Sequence, residues 1–333
     1  MKKTMIFKVA AAACVIALLV CTFLIFGHNF RLGTHYADAE QYTAGGATVT
    51  DPVKNLDIHW TEGLVTIAYH ADNTIEISET APKAISGDAQ LRWWLDGTTL
   101  HIQYAKSGYF SLLSLKKELT VTLPEGFELE GCSVEATSAD VKIPSLRAKN
   151  MVMNLTSGDL DLARAGAESV ALSSTSGDLF AGLEEAKTVS VDTTSGEIQL
   201  TQTAAAQSVS LSSTSGDIRA TLGDADELQV SSTSGRVAVE AGTTKTADIG
   251  TTSGNIAVRL AAFDQLKIGS TSGDVTAALP SKPGFKAEID TTSGSFDSAI
   301  ALKRDGDRYA CGDESASLEI DTTSGDIRLE EAQ

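Results

Sequence analysis

From residue 131 to the C-terminus the chain contains no histidine and no tryptophan. The commonest general base and metal ligand is therefore missing from most of the protein. Cysteine is scarce as well, with four in 333 residues. That rules out a dense disulfide framework. Two of the four, Cys132 and Cys311, stand about nine repeat units apart along the chain described below, too far for the roughly 4.4–6.8 Å Cα separation of a disulfide. Basic residues are also few: 26 Lys and Arg face 44 Asp and Glu. The first 40 residues hold four basic and two acidic side chains, so the remainder carries −20 against −18 for the whole. A body of that charge repels nucleic acid and anionic lipid.

What the chain has in abundance is one tetrad. "TSGD" or a near copy recurs with its serine at 157, 176, 195, 215, 234, 253, 272, 293 and 324, and a worn copy, "TSAD", stands at Ser138. The steps are 19, 19, 19, 20, 19, 19, 19, 21 and 31 residues. A fixed period of this length signals stacked units that are stable only against their neighbours. With each Ser as place zero, apolar residues fall at −6 and −4 (Val170 and Leu172, Val189 and Val191) and at +3 and +5 (Leu160 and Leu162, Ile198 and Leu200). Such alternation marks half-buried strands.

The apolar phase slips by one residue across the tetrad. The corner glycines (Gly158, Gly177, Gly196, Gly216, Gly235, Gly254, Gly273, Gly294 and Gly325) absorb that slip by reaching positive φ. The fold class is thus all-β, a repeat β-solenoid of about ten coils of 19–20 residues, roughly 50 Å long at about 4.8 Å per coil. Threonine at place −1, from Thr137 to Thr323, predicts a hydroxyl ladder along one face. Insertions fall in the return loops. The largest, 297–316, carries the turn signal Asp305-Gly306 and gathers Lys303, Arg304 and Arg308, a partner contact or a solvated turn.

Ahead of the repeats the pattern divides the chain into four segments. Residues 1–8 form a cytoplasmic stub with Lys2, Lys3 and Lys8, and 9–27 an apolar run of bilayer-spanning length, which predicts a single-pass anchor with the rest extracytoplasmic. A cleaved signal peptide is the rival reading, although its apolar core is usually shorter and the nearest A-x-A site, Ala37 to Ala39, lies far downstream. Cys21 is followed by further apolar residues, which argues against lipid attachment. Residues 28–44 read as a linker, and 45–130 as a non-repeating β region that caps the open edge of the solenoid at 131–333. Within the cap, "LVTIAYHADNTIEIS" and "LRWWLDGTTLHIQY" read as hairpins, and Glu330-Glu331 is expected to blunt the far end.

A solenoid can carry a glycan-active site, but such a site needs converging carboxylates, His, Arg or Lys that break the repeat. The acids after the glycine are instead repeat elements, read as solvated corner residues, with Arg236, Asn255 and Ser295 diluting their charge. Calcium is the alternative for Asp159, Asp178, Glu197 and Asp217, which would line up on four successive coils. Calcium wants six to eight oxygens, and the Gly-Asp nonapeptide of calcium-binding β-rolls is absent. No cofactor is expected. Trp93-Trp94 offers a sugar-stacking surface, while His59, His70 and His101 show no metal-ligand spacing.

"KKELTVTLPEGFELEGCSVEATSADVKI" from 117, the "TTSGDI" corners and "RYACGDESASLEIDTTSGDI" near the end resemble the putative-adhesin (toast-rack-like) domain family of bacterial envelope proteins over about residues 50–333. The resemblance implies a membrane-tethered, extracytoplasmic β-solenoid and brings no catalytic residues. Ala139 in "TSAD" departs from the pattern. The reading that follows is a non-enzymatic, adhesin-like binding or scaffold protein, with cell-wall glycan or an envelope protein as partner. Its alternative is an extracytoplasmic sensor coupled to an envelope-stress or anti-sigma-type regulator, and a glycan-active enzyme comes third.

Overall fold

The computed structural model describes residues 33–282 and 284–332. The predicted stub and anchor, 1–27, lie outside them, and among the described residues no helix is long and apolar enough to cross a membrane. Among the described residues strands dominate, with two short 3-10 turns, Ala39–Gln41 and Gly87–Ala89. Each coil contributes one strand before the corner and one after it, and both pair in parallel with the equivalent strands of the next coil. Ser169–Ser176 lies against Thr188–Ser195 in strict 19-residue register, and Leu179–Glu185 lies against Ile198–Gln202. The places predicted to be apolar all face inward: Val170, Leu172, Val189, Val191, Leu160, Leu162, Ile198 and Leu200 are each at most 1 % exposed.

The corner glycines do two things at once. Gly196 has φ +156°, and a Cβ built on it would lie 2.1 Å from the carbonyl oxygen of Gly177, one coil back. Gly177 meets Gly158 in the same way at 2.0 Å. Stacked corners therefore approach too closely for any side chain. Gly294 is not in the positive-φ region, yet its Cβ would still fall 2.0 Å from the Gly325 oxygen. Ala139, in the worn corner, is fully buried, keeps register with Gly63 and needs no positive φ.

Two hydroxyl rows flank the corner. The predicted Thr row at place −1 lies on the outer face, exposed at Thr137, Thr156, Thr175 and Thr233. A second row, at −2, is buried: Ser174, Thr193, Ser213, Ser232, Thr251, Ser270 and Thr322 are each no more than 8 % exposed, and none of their hydroxyls has a hydrogen-bond partner in the protein. Toward the N-terminal end this row widens into Leu155, Ala136 and Trp60.

The boundary expected at 130/131 falls inside continuous pairing. Asn55–His70 runs parallel to Leu129–Ile143, with Thr61 level with Thr137 and Glu62 paired with Ser138. It is a full coil whose corner, "TEGL", hides behind Glu62. Beyond it lies one more coil, Thr99–Gln103 and Glu118–Pro124, whose corner is replaced by the insertion 104–117. Among the described residues twelve coils therefore stack, against the expected ten or so. "LVTIAYHADNTIEIS" is no hairpin: Ile75–Thr80 pairs with Glu118–Pro124, which lies between it and Asn55–His70. Arg92–Asp96 and Thr99–Gln103 do form the expected antiparallel pair.

Spatial order departs from chain order at both ends. The 62 coil sits inside the 99–124 coil, and the last coil in sequence, 316–331, slots between the Ser272 and Ser293 coils. Glu330 and Glu331 are thus not at the end of the stack, because Ile327–Glu331 pairs with Val275–Leu279 on one side and its strand meets Phe296–Ser298 on the other. On the pre-corner face the far end is closed by the antiparallel hairpin Lys303–Asp305 and Arg308–Cys311, and the near end by Arg92–Asp96 and Thr43–Ala44. Antiparallel pairing terminates a parallel stack without presenting the next coil with a matching edge.

Two substitutions test this packing by chemical denaturation. Gly196→Ala is expected to cost at least about 2 kcal/mol, because a methyl must displace a carbonyl as well as adopt a glycine conformation. Thr193→Val, nearly isosteric, is expected to add about 1 kcal/mol by removing an unpaired buried hydroxyl. A loss of similar size would instead assign that row to internal water.

Candidate functional site

The acid ladder is the first place to look, and it is already occupied by backbone. At several corners the carboxylate one coil back accepts the N–H at place +2. Asp159 N–H donates to Asp140 Oδ1 at 3.0 Å, Asp178 N–H to Asp159 at 2.9 Å and Glu197 N–H to Asp178 at 2.7 Å. Arg236 N–H donates to Asp217 at 2.8 Å. Asn255 keeps this role for Asp274 N–H at 3.0 Å, so the substitution preserves an acceptor and does more than dilute charge. Glu197 is turned away to Arg219. Burial, and then the neighbouring Asp159 charge, holds the Asp178 carboxyl above its ordinary value. Asp159, Asp178 and Asp217 are therefore aligned as expected from the period and spent on the corners, whereas Glu197, in line with them, is paired with Arg219.

Among the described residues, one group of three side chains does converge with metal-ligand chemistry: His70, Asp72 and Glu76, whose donor atoms lie within 4.8 Å of one another. His70 Nε2 donates to the Thr74 carbonyl at 2.6 Å, leaving Nδ1 toward Asp72. Asp72 and Glu76 are exposed. The basic hairpin is exposed too, with Arg308 reaching Glu288 at 3.7 Å.

A groove of about 430 Å³ lies at the N-terminal end. Its floor is made by outward-facing places −3 and −1 of consecutive coils: His59 and Thr61, Glu135 and Thr137, Asn154 and Thr156, Ser173 and Thr175. Ser173 Oγ donates to Asn154 Oδ1 at 2.7 Å. Its wall comes from the insertion that replaces the outermost corner, through Tyr104 and Tyr109, and from the incoming segment through Tyr36.

Several bonds hold the wall against the floor. Tyr104 OH donates to Glu62 Oε1 at 2.8 Å, and the Leu115 N–H reaches the same oxygen at 2.5 Å. Burial alone would raise the Glu62 carboxyl; these donors, with Ser114 and the Lys116 backbone, outweigh it and hold the group below its ordinary value. The glutamate that disguises this corner thus fastens the insertion. Beneath it, the fully buried Lys117 ammonium donates to the Ala89 and Tyr104 carbonyls and pairs with Glu79 at 2.7 Å. It also faces the rings of Trp60 at 5.0 Å and Tyr104 at 4.3 Å. Burial lowers its affinity for the proton, opposed by Glu79.

At the groove's edge the histidines meet. His59 has Asp57 3.3 Å from Nε2 and Glu135 2.9 Å from Nδ1, and Asp57 also lies 2.8 Å from His101 Nδ1. With both ring nitrogens facing carboxylates, the protonated form of His59 is favoured, and in that form it offers no lone pair. Trp94 stacks on His101 at 5.6 Å and 24°, Tyr42 leans on Trp94 at 5.6 Å, and Trp94 is half-buried. Trp93, on the opposite side of the strand, packs on the core. Neither Trp93 nor Trp94 lines the groove, whose aromatic lining is Tyr36, Trp60, Tyr104 and Tyr109. Sequence spacing could not join His59, Asp57 and His101, because the strands that carry them pair across an interval of 44 residues.

The Asp57 hydrogen bond is the main cause that raises the His59 value, with burial opposing it. Asp57 is pushed up by burial, but His59 and then His101 outweigh that and lower it. A raised histidine stabilises fully below its unfolded value near about 6.5 and loses that contribution as pH rises through the folded value; a lowered aspartate stabilises above about 4. The cluster is thus strongest between roughly pH 4 and 6.5. Thermal melts from about pH 6 to pH 9 are expected to show falling stability. In His59→Gln that slope should flatten, and an unchanged slope would remove His59 as its source.

The Toastrack DUF4097 profile matches residues 53–206 and again 182–330, two overlapping alignments that together cover most of the chain. No curated protein matches it. Solved structures are similar too, two of them as follows. One is described as a putative cell adhesion protein from Clostridium sporogenes ATCC 15579, 10 % identical, covering 87 % of this chain and 100 % of that one with a TM-score of 0.20. The other is described as a putative adhesin from Bacteroides fragilis NCTC 9343, 14 % identical, covering 86 % and 97 % with a TM-score of 0.36. The chain belongs to the Toastrack DUF4097 family.

Proposed function

We propose that this protein is a non-enzymatic, adhesin-like binding protein of the bacterial cell envelope, single-pass, with residues 9–27 as its anchor and the twelve-coil rod outside the membrane. The N-terminal groove is its recognition surface, and cell-wall glycan is the ligand class. The observation that carries this reading is the groove's lining. Hydroxyl, amide and carboxylate groups repeat once per coil along the floor, at Thr137, Thr156, Thr175, Asn154 and Glu135, and tyrosine rings stand along the wall. Polar groups at regular spacing beside aromatic faces suit a polyhydroxylated chain, which needs many modest hydrogen bonds and a flat apolar surface.

The non-enzymatic part rests on the engagement of the ionisable groups. Asp57 and Glu135 are held by His59, and Glu62 by Tyr104 and Leu115, so the carboxylates and imidazole nearest the groove serve one another.

Pull-down with purified cell-wall glycan tests the proposal. The protein is expected to co-sediment, and Asn154→Ala and Tyr109→Ala, both at the groove surface, are expected to weaken binding about tenfold each, the equivalent of about 1.4 kcal/mol. Equal retention of both variants and the parent would refute the groove as the binding surface.

A further inference from the structure

We propose that the loop Phe110 to Leu113 seats the N-terminal end of the rod in the interfacial layer of a lipid bilayer. Phe110, Leu112 and Leu113 are 48 %, 89 % and 75 % exposed, clustered on the insertion that replaces the outermost corner. Among the described residues the other exposed large apolar side chain is Val152, at 38 %, outside this insertion. Clusters of this kind on an otherwise polar surface mark a contact.

Three observations commit the contact to lipid. First, the chain enters the described structure at the base of this loop. Gly108 N–H donates to the Thr34 carbonyl at 2.8 Å, Tyr36 N–H to Ser107 Oγ at 3.3 Å and Tyr36 OH to the Ala105 carbonyl at 2.9 Å. Second, the uncharged run of the sequence ends at Phe26, seven residue steps before Gly33, a reach of at most about 25 Å. The loop is thereby tethered close to wherever that run lies. Third, the stretch "YFSLLSLKK", 109–117, has no acid in a chain of net charge −18, and Lys116 is exposed beside the leucines. An aromatic ring, two leucines and a lysine are the composition of a segment lying at the boundary between headgroups and acyl chains.

The inference rests on the reading of residues 9–27 as the anchor. Given that anchor, a second contact would fix the inclination of the rod, since a single tether leaves it free to swing.

The test uses the full chain reconstituted in phosphatidylcholine vesicles, with flotation scored beside fluorescence. In Leu112→Trp, the introduced indole is expected to emit further to the blue than in detergent-free buffer and to be quenched by lipids brominated near the headgroup; the parent, with Trp60, Trp93 and Trp94 alone, supplies the baseline. Trypsin is expected to spare Lys116 in vesicles and to cut there once Leu112→Asp and Leu113→Asp are combined. Flotation without quenching would overturn the seat and leave the anchor standing. A blue shift without quenching by bromolipid would place the loop against protein and equally overturn it. Failure to float would remove the anchor and the seat together.

Discussion

The close approach of successive corners is the constraint on which the rest depends. Where Gly177 stacks on Gly158 and Gly196 on Gly177, the space for a Cβ is filled by the previous carbonyl at about 2 Å. The glycine corners can close to strand spacing at their sharpest point because they are bare there, and at the worn corner Ala139 is accommodated without positive φ. Once the corners are in register, the flanking strands are too, and Val, Leu and Ile at equivalent places meet their own kind along the core. The Asp or Asn at +2 completes the corner by accepting the N–H at the same place one coil on. Sequence repetition and hydrogen-bond satisfaction are here the same requirement.

A parallel stack has no natural end, and the two ends of this one share a device. At each, the terminal coil of the sequence is placed one position inward, hydrogen-bonded on both sides, and its sequence neighbour goes outside. Antiparallel strands then cover the exposed edge. The arrangement keeps chain ends from fraying and covers the pre-corner edge at each end, so that edge is no parallel template for another rod. It also explains the step of 31 residues before Ser324, since the chain must climb over the Ser293 coil and return beneath it.

The groove is a by-product of the same end. Replacing the outermost corner by 104–117 gives the flat outer face a wall, and Glu62 and the buried Lys117 hold that wall in place. The groove therefore sits where the repeat breaks. His59, Glu135 and Asn154 occupy the outward place taken by Ser173, Ser212 and Ser231 further along the stack, a signal readable in principle once the 62 coil is known to exist.

The amino-acid order alone determined the period, the corner, the inward places and the all-β class, because each rests on contacts between neighbours one coil apart that repeat identically. It also showed that the acids after the glycine belong to the repeat. Tertiary structure decided what depends on non-repeating partners. The coil at 62 was invisible because Glu62 and a 76-residue interval to Ser138 mask its corner. The inversion of order at both ends follows from pairing choices that have no counterpart in local periodicity. The use of Asp159 and Asp178 as acceptors required knowing which N–H lies within reach one coil on. The His59, Asp57 and His101 cluster arose only when strands distant in sequence were laid side by side. Periodic order encodes interactions between equivalents, whereas a site is made of residues that are not equivalent, and only the folded chain brings those together.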